Sequence, residues 1–252
     1  MTLLVTKIFL KETFRNIGVL LANFLPALIF IILSIFLSKV SSINSETMEY
    51  IVRGQFVTMS ILLTIFSLSF SNSVIYLTDK RSEQAFEWMN KTNLKFINLF
   101  IGVGLGTIIL LNIFLVFIVF GFNFTTGFTI GEVGNILLVS NVAFITIYPL
   151  SYVVSNIFPN GRIANSMLVP IMLILLFSIT MTDLFVTLAE SNPQDFYKFL
   201  IWNPMLFFND SLQNILGMKD SLWLSLEVYS LTLVLVFVIL TAVSKRTFKY
   251  LK

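Results

Sequence analysis

Six stretches of roughly twenty residues, five of them without a single Asp, Glu, Lys or Arg, leave this chain few ways to fold. They run from about Gly18 to Ser38, Gly54 to Leu77, Phe96 to Phe120, Val133 to Phe158, Ile163 to Thr182 and Ser221 to Val243. Only the last holds an acid, Glu227, near one of its ends. A soluble domain carries about 25% charged residues; this one has 12%, with 57% hydrophobic residues and a mean hydropathy of +0.92. There is too little polar surface to cover a water-facing globule. The expectation is an all-α integral membrane protein whose one domain, residues 1–252, is built on six transmembrane helices.

Lys and Arg collect at one set of ends. With six spans both termini fall on the same side, and that side holds Lys7, Lys11, Arg15, Lys80, Arg81, Lys91, Lys95, Arg162, Lys245, Arg246, Lys249 and Lys252, 12 of the 16. Lys39, Arg53, Lys198 and Lys219 lie opposite, among loops rich in acids such as Glu46, Glu49, Glu132, Asp183, Glu190 and Asp210. Basic loops stay in the cytoplasm during insertion, so both termini are expected there, in the cell membrane. The net charge of +3 then reports orientation and gives no reason to invoke nucleic acid. Lys7, Lys11 and Arg15 recur every four residues, one stripe of a helix, which suits an N-terminal amphipathic helix lying at the interface; a plain basic flank of the first span is the alternative.

What is absent narrows the chemistry. The chain has no Cys and no His, which removes thiolate and imidazole metal sites, Ser-His nucleophiles and the commonest general base. No G-x-x-x-x-G-K-[ST] phosphate loop occurs. Gly102, Gly104 and Gly106 ("GVGLG") lie inside an apolar span, where small residues let helices approach closely. No metal and no cofactor is expected in this chain, nor is it expected to be an enzyme.

Between the second and third spans lies "DKRSEQAFEWMNKT", with Asp79, Lys80, Arg81, Glu83 and Glu87 inside nine positions. Each charge held at the bilayer centre would cost about 2.5–3.5 kcal/mol, so the segment belongs outside the membrane. Glu87 and Lys91 at i, i+4 support a short helix, whose Phe86, Trp88 and Met89 form an apolar cluster. They act either as an aromatic anchor at headgroup level or as the plug for a groove on a soluble partner. In the second span, Ser60, Thr64, Ser67 and Ser71 fall at i, i+4, i+7 and i+11, with Asn72 beside them. Hydroxyls spaced this way either glue helices together or wall a transport route. Such a wall, uncharged and Phe-rich, suits an amphipathic or hydrophobic cargo better than an ion. Glu227 reads as an interfacial residue paired with water or with Lys219.

The order of basic N-terminal helix, two spans and a charged helix ending "EWMNKTNLKFINLFIG" resembles the transmembrane subunits of ABC-2 type exporters. Asp79, Lys80 and Arg81 match the charged cluster of the family's coupling helix, Phe86-Glu87-Trp88-Met89 its body, and Thr92-Asn93-Leu94 the step into the third span. Gln84-Ala85 and Asn93 depart from the Gly-Thr and Pro often found at those points. "VVSNIFPNGRIANSMLVPIMLILLF" is similar to the family's tight turn between spans four and five. "SNPQDFYKFLIWNPMLFFNDSLQNIL" is similar to its outer re-entrant helical hairpin, with Asn203-Pro204 as the marker. The resemblance implies a separate ATPase subunit that holds ATP and Mg and docks on Glu83, Gln84, Ala85, Phe86, Glu87, Trp88 and Met89. It also implies a second permease, as homodimer or heterodimer, and a route lined by spans two and five. Permeases of this size resemble exporters of peptide toxins and bacteriocins, among them the type that secretes staphylococcal modulin toxins, and the residue usage suits a Gram-positive bacterium. An ATP-independent carrier or scramblase, and a membrane subunit without cargo, are the rival classes.

Overall fold

The computed structural model describes residues 1–39, 45–85 and 95–249, and among them every regular element is helical. Helix α1 spans Thr2–Arg15 and breaks at Asn16, whose φ of −99° and ψ of 52° leave the helical region. Helix α2 (Ile17–Leu37) follows, then α3 (Thr47–Ser82), α4 (Phe96–Thr126), α5 (Ile130–Val154) and α6 (Gly161–Leu188). A 3-10 turn, Pro193–Phe199, and the short α7 (Leu206–Ile215) precede the last helix, α8 (Leu226–Lys249).

Five of these are long and apolar enough to cross a membrane: α3, α4, α5, α6 and the Leu226–Thr247 part of α8. The sixth expected span corresponds to α2, whose apolar part, Asn23–Leu37, is shorter than the other five. Helix ends differ from the expected ones for local reasons. The fourth span begins at Ile130, because Thr129 and Glu132 form a capping box: the Thr129 N–H donates to Glu132 Oε2 at 2.8 Å and the Glu132 N–H to Thr129 Oγ1 at 3.2 Å. It ends at Val154, ahead of the 155–160 turn. Asn160 then caps α6, accepting the Ile163 N–H at 2.9 Å.

Helix α3 runs through the centre. Some 83% of its apolar window is buried, against 6% for α8. Ile61, Leu62, Ile65, Phe66 and Leu68 have almost no exposed surface, and between them lie small hydroxylated residues, so every face is sealed by a neighbour. This helix is not regular. Tyr50–Phe56 and Ile65–Ser71 are wound as π-helix, which widens the turn and rotates the next stretch of the helix. By contrast α4 shows one clean outward stripe, with Ile97, Ile101, Leu105, Ile109 and Ile113 exposed at every fourth position, as expected of a helix with one side to lipid.

Helix α1 lies directly against α4. A Cβ on Gly102 would sit 2.6 Å from Val5 Cβ, and one on Gly106 would overlap the Phe9 ring. Thr6 Oγ1 donates to the Gly102 carbonyl at 2.9 Å. Gly104 faces the other way, onto Tyr148 of α5. The "GVGLG" run is thus a two-sided packing groove, as its place inside an apolar span suggests. The stripe of Lys7, Lys11 and Arg15 points outward from this contact.

Candidate functional site

The charged run at the end of α3 divides its work among three neighbours. Asp79 Oδ1 accepts the N–H of Gly161, the first residue of α6, at 2.8 Å, placing a negative charge where the helix N-terminus presents unpaired donors. Gly161 has no room for anything larger, since a Cβ there would overlap the Asp79 carboxylate. Lys80 Nζ donates to Glu12 of α1 at 3.0 Å and to Glu83 at 3.2 Å. Arg81 donates to Asn156 Oδ1 at 3.1 Å and to the Phe158 carbonyl, both in the α5–α6 turn. One residue earlier, Thr78 Oγ1 donates to the Ser155 carbonyl at 3.2 Å. Consecutive residues of one turn therefore clamp α1, the α5–α6 turn and α6 to the end of α3.

Of the seven residues expected to form the coupling segment, Glu83, Gln84 and Ala85 are described. Glu83 caps α3 and Gln84 sits at φ 56°, the left-handed conformation that ends many helices and that glycine adopts most easily. It stands where the family resemblance calls for Gly. Phe86, Glu87, Trp88 and Met89 lie outside the described residues.

A cavity of about 790 Å³ opens beside the clamp. Helix α1 and its junction with α2 contribute Glu12, Arg15, Asn16 and Leu20. The end of α3 contributes Asn72, Tyr76 and the clamp residues, and α6 adds Arg162 and Asn165. Tyr76 is held by Phe9, whose ring meets it edge-on at 4.9 Å, with Lys80 Nζ 5.7 Å from the ring centre.

The expected polar stripe is divided by this geometry. Asn72 reaches the cavity wall, with its Nδ2 lacking a partner among the described residues. Ser60, Thr64, Ser67 and Ser71 are buried within the chain. Thr64 Oγ1 donates back to the Ser60 carbonyl at 2.8 Å and Ser67 Oγ contacts Met172 Sδ of α6 at 3.6 Å, whereas the Ser60 hydroxyl has no partner among the described residues. The π-helical turn at Ile65–Ser71 falls across the stripe, so the α-helical spacing does not carry through it.

The opposite end holds a polar cluster that the sequence did not single out. Asp183 of α6 and Asp210 of α7 are both fully buried and share Lys219, whose Nζ lies 3.6 Å from one and 3.4 Å from the other. Asp183 also accepts from Tyr197 at 2.8 Å and Asn209 at 2.7 Å. Asp210 accepts from Tyr229 of α8 at 2.6 Å, the Trp223 N–H at 2.8 Å and Gln194 at 3.2 Å. Of the two partners expected for Glu227, water or Lys219, the second is ruled out: Glu227 is exposed, and Lys219 is turned inward to two buried carboxylates, which need its charge more than an interfacial acid does. Burial and the nearby carboxylates push the Tyr197 phenol well above its ordinary value, so it stays a donor. The region expected as a re-entrant hairpin is the 3-10 turn and α7, packed onto this cluster, with Asn203 donating to the Leu175 carbonyl at 2.6 Å. In sequence the cluster is scattered over five local segments, and only the shared burial of Asp183 and Asp210 joins them.

Arg53 pairs with Glu132 and Glu49 nearby, next to Gly54, which packs on Met218. Among the described residues no cluster of acidic side chains is arranged to hold a metal ion. No curated relative matches the chain. The model of the ABC-2 family transporter protein matches residues 39–245. That span takes in Asp79, Lys80 and Arg81 of the clamp, the central helix and the Asp183–Asp210–Lys219 cluster, with α1 and its Glu12 before it, and the chain belongs to the ABC-2 family of transporter proteins, the membrane transport subunits of ABC transporters.

Proposed function

We propose that this chain is the permease of an ATP-driven exporter for an amphipathic or hydrophobic substrate, a peptide in the first instance, with both termini in the cytoplasm. ATP and Mg are held by a separate ATPase subunit, and a second permease completes the pathway. The observation that supports this reading best is the clamp: Asp79, Lys80 and Arg81 tie the segment beginning at Glu83 to α1, the α5–α6 turn and α6. A push on Glu83–Met89 would then be shared by three elements instead of being lost in a loose loop. Family membership and the absence of any phosphate loop in the chain support a partner as the source of energy.

The route would follow α3, entering at the cavity that Asn72 faces. Ser60, Thr64, Ser67 and Ser71 would join it when α3 turns or parts from α6, exchanging hydroxyls that are now imperfectly paired for contacts with cargo. The uncharged, hydroxylated wall is the ground for an amphipathic peptide over an inorganic ion.

Affinity purification of the tagged chain from native membranes tests the assignment. A stoichiometric soluble ATPase should accompany it and be lost from the Phe86→Ala/Trp88→Ala variant. Trp88→Ala or Glu87→Lys alone should abolish transport while leaving membrane insertion intact. A chain that purifies alone, with transport unchanged in both single variants, would remove the coupling assignment and favour an ATP-independent carrier.

A further inference from the structure

We propose that the cavity at the basic end is a binding site for the phosphate headgroup of an anionic lipid, held chiefly by Arg15 and Arg162. Several charges in its wall are already in use. Glu12 and Glu83 are engaged by Lys80, and Asp79 by the Gly161 N–H. Arg15 and Arg162 have no ion-pair or hydrogen-bond partner for their guanidinium groups among the described residues, although both line the cavity. Asn72 and Tyr76 line the same cavity, and their Nδ2 and OH are buried and likewise unpartnered among the described residues. Arg15, Lys80 and Arg162 balance Glu12, Asp79 and Glu83 in number, so the wall carries no net charge, and what it offers a ligand is two guanidinium groups without a partner and two neutral donors. Guanidinium is the side chain best shaped to take phosphate oxygens in pairs, and a buried unpaired donor is costly until an acceptor arrives.

The mouth of the cavity favours a lipid over a free anion. Buried Leu20 of α2 forms part of the wall, and the outer face of the same helix carries Ile17, Leu21 and Leu25, each more than half exposed and none of them in the wall. A headgroup seated among Arg15, Arg162 and Tyr76 would lay its chains on that face. Such a lipid would also touch α2 beside the point where the clamp gathers α1, α3 and α6.

The site can be measured on the purified full-length chain without any ATPase, so a failure here leaves the permease reading untouched. Native mass spectrometry in mild detergent should show retention of phosphatidylglycerol in preference to phosphatidylcholine. Arg15→Gln/Arg162→Gln should weaken that retention by about tenfold or more, and Tyr76→Phe by less. Lys7→Gln/Lys11→Gln also removes two positive charges, both from α1 and outside the cavity, and should change nothing. All variants alter exposed charges or a single hydroxyl, and matched thermal midpoints will verify that they fold. Equal retention of the two lipids, or an equal loss from both double variants, would overturn the site in favour of general surface attraction. Displacement of the lipid by millimolar inorganic phosphate would overturn the lipid as occupant and leave a soluble anion.

Discussion

At the residue scale, the most sensitive positions are those where one atom group serves two elements. Gly161 starts α6 and receives the Asp79 carboxylate on its N–H with no space for a methyl group. Gly161→Ala should lower stability by about 1–3 kcal/mol through overpacking and loss of the cap, and should loosen the α5–α6 turn, which limited proteolysis at 155–160 will detect. Lys219 is the only cation within reach of Asp183 and Asp210 among the described residues. Lys219→Met leaves two buried carboxylates uncompensated and should cost about 3–5 kcal/mol in a denaturant titration. Tyr197 adds a pH dependence. Its folded pKa lies above the ordinary 10.0, so the folded chain keeps a proton that the unfolded chain loses. Stability from this group is complete below pH 10.0 and falls as pH rises beyond it, and the alkaline fall should shrink in Tyr197→Phe.

At the scale of elements, apolar period and glycine spacing were legible in the sequence, and polar function was not. The Gly102–Gly106 groove follows from small residues four apart in an apolar helix, and α1 fills it. Gly106→Leu should expel α1 from α4, exposing residues 2–15 to protease while the remaining helices stay folded. The stripe of α3 was legible only as spacing. Whether a row of hydroxyls faces a neighbour or a passage depends on which helices surround it, and the π-helical turns change the register that a 3.6-residue period assumes. Asn112 and Asn141 illustrate the same limit. They exchange amide hydrogen bonds at 2.8 and 2.9 Å between α4 and α5, yet each is a single Asn in a greasy run with nothing to mark its partner. Asn141→Ala should cost about 1 kcal/mol, the scale of interhelical hydrogen bonds in membranes.

At the scale of the whole molecule, the charged residues form separate groups: Glu12, Asp79, Lys80 and Arg81 gather around the end of α3, while Arg53 pairs with Glu132 and Lys219 with Asp183. Because the chain has no Cys, single cysteines report topology cleanly. A membrane-impermeant thiol reagent applied to intact cells should label Glu190→Cys and leave Lys11→Cys unlabelled until the membrane is opened; the reverse pattern would invert the orientation. By itself the sequence determined membrane class and helical fold, because these depend on composition and on period along one chain. The tertiary structure alone decided that α3 is the central helix, that consecutive charges at its end grip three different elements, and that two distant aspartates share one lysine. Those outcomes rest on which side chains are denied water together, and burial is a property of the assembled helices that no single segment carries.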